Sequence, residues 1–153
     1  MANLMVASVI VTLTVLLHFW GLLRLFFLMS ATRYPLRPHE NHRRRAVLLL
    51  LVVFGLCALH PLPIWLYALL YRTLGELHSG EDALYFSTVR LSATGYGDMA
   101  LSARWRVVAA VDAANGVILL ARSATFLLAV TSRQKMLEHE WLEHQPRPRG
   151  QVG

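Results

Sequence analysis

Apolar residues fall into three long runs, at 2–29, 46–71 and 107–131, separated by shorter polar segments. Only His18 and Arg24 break the first, no Asp, Glu, Lys or Arg falls in the second, and the third carries Asp112 and Arg122. Each run exceeds the roughly 20 residues a helix needs to cross the hydrocarbon core. The pattern predicts three transmembrane helices in an all-α membrane protein. A further apolar stretch, 82–93, would be only ~18 Å long as a helix, too short to cross and suited to re-entry. Ser79 or Asp82 can cap its N-terminus, where Glu81 and Asp82 complement the helix dipole. His60-Pro61-Leu62-Pro63 interrupts the second run, and its prolines predict a kink or break, with His60 bonded to backbone.

Composition agrees: 56% of the 153 residues are hydrophobic. Cys57 is alone within an apolar span, so no disulfide forms within the chain, and it reads as a small buried hydrophobe. The first run lacks the basic leader and small-residue cleavage site of a signal peptide. The net charge of +6 does not imply nucleic acid, because the charge clusters beside the spans. Segment 30–45 carries Arg33, Arg37, Arg43, Arg44 and Arg45 against Glu40, which places it in the cytoplasm. The N-terminus is then outside, in the plasma membrane or a bacterial inner membrane, and the tail 132–153 is inside. Residues 72–82 are net acidic and fit the outer face. The same arginines could bind anionic lipid headgroups, each worth about 1 kcal/mol near the surface.

Between the short stretch and the third run lies Thr94-Gly95-Tyr96-Gly97-Asp98. Inside a membrane, non-helical backbone is tolerated only where protein buries it or where it lines a watery path. Glycines flanking an aromatic allow an extended chain with its carbonyls pointing one way, and a row of carbonyls can replace the water shell of a potassium ion.

The segment Asp82-Ala83-Leu84-Tyr85-Phe86-Ser87-Thr88-Val89-Arg90-Leu91-Ser92-Ala93-Thr94-Gly95-Tyr96-Gly97-Asp98 resembles the pore region of the potassium channel superfamily. The resemblance continues through Trp105 into the third run. Taken with run lengths and charge, it divides the chain into an extra N-terminal helix (1–31), which minimal two-span members lack, a basic loop (32–45), a pore domain (46–131) and a short tail (132–153). Within the pore domain it implies an outer helix (46–71), a pore helix (82–92), a selectivity filter (93–98) and an inner helix (104–131). One pore loop per chain implies a homotetramer. Backbone carbonyls of Ala93, Thr94, Gly95 and Tyr96 would coordinate K+ as the permeant ion, with no other cofactor. Tyr96 would pack against the pore helix, and Asp98 would fix the filter at its outer mouth. Ile118, Ala121, Thr125 and Ala129 would line the pore, and Gly116 matches a gating hinge, although small residues in membrane helices also permit close packing.

Two departures matter. Ala93 and Thr94 stand where the family has threonine and valine, which removes hydroxyls from the innermost ion site. Arg90 places a positive charge just before the filter. Arginine at mid-membrane costs about 2.5–3.5 kcal/mol on the gentler scale and needs a partner. Asp112 lies ~14 Å below the start of its helix at 1.5 Å per residue. Arg90 lies ~15 Å below the top of an extended filter. The matching depths predict a buried Arg90–Asp112 pair. Arg122, a turn beyond Ile118, is expected to avoid the axis. No arginine series marks a voltage sensor. The expected function is therefore a potassium-selective channel and not an enzyme. Alternatives are a non-selective cation channel and a non-conducting subunit. An intramembrane aspartyl protease, which also uses a Gly-x-Gly-Asp motif, lacks a properly placed second aspartate.

Overall fold

The computed structural model describes residues 1–31 and 42–143, which are helices and connecting turns with no β-strand among them. The helices are α1 (Ala2–Ala31), α2 (His42–Leu59), α3 (Pro61–Thr73), α4 (Gly80–Leu91) and α5 (Arg106–Glu143). Three stretches are long and apolar enough to cross a membrane: Ala2–Ser30, Ala46–Thr73 and Arg106–Ser132. Of the expected lipid contacts, Arg43 is exposed, Arg33 and Arg37 lie outside the described residues, and Arg44 and Arg45 lie outside the described side chains.

The second stretch is two helices joined at His60. Pro61 has no amide hydrogen, so the Cys57 carbonyl loses its regular partner. The His60 amide takes that carbonyl at 3.4 Å instead, which frees the Leu56 carbonyl. The His60 ring then donates from Nδ1 to Leu56 O at 2.8 Å. A side chain thus repairs the ladder that proline broke, as backbone in hydrocarbon requires.

α3 ends in a left-handed turn at Gly75 (φ 74°), where the Glu76 amide returns to the Tyr71 carbonyl at 3.1 Å. α4 begins at Ser79, whose side chain accepts from the amides of Glu81 and Asp82 at 3.2 and 3.4 Å. α3 and α4 pack through the Tyr71 and Phe86 rings, edge to face at 5.2 Å, and through the Ser87 hydroxyl donating to Ile64 O at 2.8 Å.

α1 runs parallel to α5, its first turn beside the loop that leads into α5. The Asn3 side chain donates to the Arg104 carbonyl, Asn115 reaches Thr14, and His18 meets Ser123. The first span therefore packs on the third span of its own chain. It meets α2 where Leu59 lies over Gly21 and Leu25 over Gly55. The main core joins Tyr67 and Tyr71 of α3, Phe86 and Leu91 of α4, and Trp105, Val108 and Ala109 near the start of α5, with Ala7 and Ile10 of α1.

The tightest contact lies between α5 and the end of α4. A Cβ on Gly116 would lie 1.9 Å from the Leu91 carbonyl oxygen and 2.6 Å from its carbon. Gly116 is thus a packing residue at the α4–α5 crossing. Gly116→Ala should lower stability in detergent by at least about 1–3 kcal/mol, the usual cost of overpacking, because the obstructing atoms are backbone. A thermal unfolding midpoint equal to wild type would show that the two helices are not in contact there.

Candidate ion pathway: the glycine ribbon after α4

α4 ends at Ser92 in a double backbone cap. The Ala93 amide bonds to Arg90 O at 2.9 Å, and the Thr94 amide bonds to Val89 O at 3.1 Å. The Gly95 amide shares the Val89 carbonyl at 3.2 Å. The left-handed position in this cap, which glycine usually fills, is Ala93 (φ 57°). An L-residue there costs roughly 1–2 kcal/mol. Ser92 Oγ and Thr94 Oγ1 lie 2.8 Å apart and tie the turn across its first residues.

Beyond the cap, φ is positive at Ala93, Gly95 (57°) and Gly97 (79°) but not at Thr94 or Tyr96. Glycine suits two of the three left-handed positions. Residues 92–98 are exposed, and Tyr96 keeps 71% of its surface free. The Tyr96 ring is therefore largely uncovered within its own chain.

Asp98 is held. The Tyr85 hydroxyl donates to its Oδ2 at 2.6 Å, which links the far end of the ribbon to the first half of α4. That hydrogen bond, with smaller contributions from burial and the Asp98 charge, raises the Tyr85 pKa, so the phenol stays a donor across the neutral range. Farther on, Glu76 accepts both the Ser102 amide and the Ser102 hydroxyl at 2.7 Å. The ribbon is thus fastened at its start by Val89, at its end by Tyr85, and beyond by the α3–α4 turn.

α5 presents two faces. Ile118, Ala121, Thr125 and Ala129 are exposed on one. Asp112, Asn115, Gly116, Leu119 and Ser123 are buried on the other, against α1, α3 and α4. Both sets recur at helical spacing. Arg122 lies with its guanidinium 6.0 Å from the Phe19 ring centre of α1.

The expected Arg90–Asp112 ion pair is not made within the chain. Asp112 Oδ2 accepts the Tyr71 hydroxyl at 2.7 Å, while the Arg90 guanidinium lies 5.0 Å from the centre of the Phe86 ring. The packed rings of Tyr71 and Phe86 give each charged group a partner on the near side. A cation over an aromatic face gains up to ~2 kcal/mol when desolvated.

Sequence reasoning passed over a polar seam inside the subunit. Thr14 and His18 of α1, Tyr67 and Tyr71 of α3, and Asp112, Asn115 and Ser123 of α5 meet through side-chain hydrogen bonds. The available signal was polar residues at helical spacing within otherwise apolar runs.

A family model described as "Ion channel" matches residues 46–133, more than half of the chain. The chain belongs to the ion-channel family. No curated protein and no solved structure matches it. Family membership and the three apolar stretches make it a multi-pass membrane protein, and they favour a channel over an enzyme. The matched region runs from the start of the second apolar stretch to just past the third, with α4 and the glycine ribbon between them.

In this channel-family chain, Ala93 offers a direct check on the ribbon's backbone. Ala93→Gly should be neutral or stabilising, whereas Ala93→Val should destabilise by about 1–3 kcal/mol, since a β-branched residue resists φ near +57°. Thermal unfolding of both variants in detergent tests this; equal midpoints would remove the left-handed cap.

Proposed function

We propose that four copies of the chain surround one axis and conduct potassium through residues 93–98. The observation that carries this reading is the ribbon itself: exposed in the single chain, alternating in φ, and fastened at both ends to α4. Carbonyls of Ala93, Thr94, Gly95 and Tyr96 then face the axis and substitute for water around the ion. α4 serves as the pore helix, and the exposed Tyr96 ring packs against a neighbouring subunit. Ile118, Ala121, Thr125 and Ala129 line the conduit beyond the filter. The Phe86 ring, rather than a carboxylate, holds the Arg90 charge.

Charge along the chain supports an orientation with the N-terminus outside and the basic loop in the cytoplasm, where Arg33, Arg37, Arg43, Arg44 and Arg45 meet anionic lipid. Ala93 supports a second reading, a cation channel of weak selectivity, because the innermost site has no side-chain oxygen.

Liposomes containing only this protein, loaded with K+ or with Na+, test the proposal. They should release K+ at least about 10-fold faster than Na+, the preference that ~1.4 kcal/mol of differential coordination produces. Gly97→Ala, strained at φ 79°, should abolish release while assembly persists. Equal K+ and Na+ release would select the non-selective reading. Release unaffected by Gly97→Ala would exclude the ribbon as the path.

A further inference from the structure

Asn115 occupies the point where three helices meet. Its Nδ2 donates to Thr14 Oγ1 of α1 at 2.8 Å and to the Tyr67 hydroxyl of α3 at 3.2 Å. Thr14 and Tyr67 are both 0% exposed and Asn115 is 1% exposed. The direction of the first bond is fixed. The Thr14 hydroxyl proton is shared between the carbonyls of Ile10 and Val11 at 3.0 and 2.9 Å, so its oxygen faces Asn115 as an acceptor.

The residue after Asn115 is Gly116, whose Cα abuts the Leu91 backbone without a side chain between them. Leu91 ends α4, and the left-handed Ala93 follows after Ser92. A displacement of α1 at Thr14 thus reaches the base of the ribbon through one hydrogen bond and one backbone contact. The neighbouring polar links between α1 and α5 are Asn3–Arg104, about three turns earlier along α1, and His18–Ser123, about one turn later.

We propose that Asn115 is a positioning residue through which the first span sets the geometry of the ribbon, and with it conduction. This rests on the channel reading above. In this view α1 is a lever on the ribbon. Its attachment at Thr14 biases the ribbon between conducting and non-conducting arrangements, and loss of the attachment frees that equilibrium.

Single-channel recording of the purified full chain in planar bilayers tests this. Thr14→Val keeps the shape and removes the acceptor. It should change open probability by about 3- to 10-fold, the population shift expected from losing one neutral hydrogen bond. The assembled mass should not change. Thr14→Ser, which retains the hydroxyl, should restore wild-type gating. Thr14→Val should add nothing once Asn115→Leu is present, because both remove the same bond. Thr12→Val, which removes only a bond to Ser8 O within α1, should gate as wild type. If Asn115→Leu does not assemble, the comparison of Thr14→Val with Thr14→Ser decides alone. Wild-type gating in Thr14→Val, identical gating in the Val and Ser variants, or independent effects of Thr14→Val and Asn115→Leu would each overturn the inference while leaving the channel reading intact. A silent unmodified protein would overturn the channel reading and this inference with it.

Discussion

Backbone that leaves the helix inside hydrocarbon must find its hydrogen bonds within protein, and this constraint organises the chain. α4 stops after 12 residues, so its last carbonyls and the following amides need partners. The Val89 carbonyl serves two amides, those of Thr94 and Gly95, and the Arg90 carbonyl serves Ala93. The last residue of α4, Leu91, is covered by α5, which approaches closely enough that Gly116 can carry no side chain. The same requirement explains His60, whose ring bonds to the carbonyl released by the break before Pro61. At both sites local chemistry repairs a defect that the topology requires.

Polar side chains inside the subunit serve a related purpose. Hydrophobic burial does little to hold helices together when the surroundings are as apolar as the helices themselves. Packing and interhelical hydrogen bonds must do more, and model systems value such bonds at about 0.6–2 kcal/mol each. Thr14–Asn115–Tyr67, Tyr71–Asp112 and His18–Ser123 therefore fix which helices touch and at what height. The opposite face of α5, with Ile118, Ala121, Thr125 and Ala129, is left open within the chain. A subunit built this way has a stitched inside and an unpartnered ribbon-bearing side.

Much of this was legible in the sequence, for identifiable reasons. Run length and composition marked the three membrane-length stretches. Proline marked the break at His60, and Ser79 followed by Glu81 and Asp82 marked the start of α4. The Arg90–Asp112 pair shows where such reasoning fails. Matching two depths along the membrane normal uses a one-dimensional ruler, whereas contact also depends on which way each side chain points. Asp112 accepts from Tyr71 of α3, and Arg90 lies over Phe86 of its own helix, so each group finds a partner other than the one its depth suggested. The seat of α1 was hidden because Thr14 and Asn115 are 101 positions apart, and neither charge nor periodicity selects a neighbour. The cap at Ala93 was hidden because the usual signal for a left-handed turn is glycine, and alanine occupies it here.

The central claim concerns placement of the ribbon, and an electron cryomicroscopy map of the full chain in lipid nanodiscs with K+ present tests it most directly. The account predicts four subunits about one axis, with carbonyl oxygens of residues 93–96 facing that axis and ion density between them. A monomer or dimer, or a ribbon whose Tyr96 and flanking glycines face lipid or bulk water away from any central conduit, would contradict it.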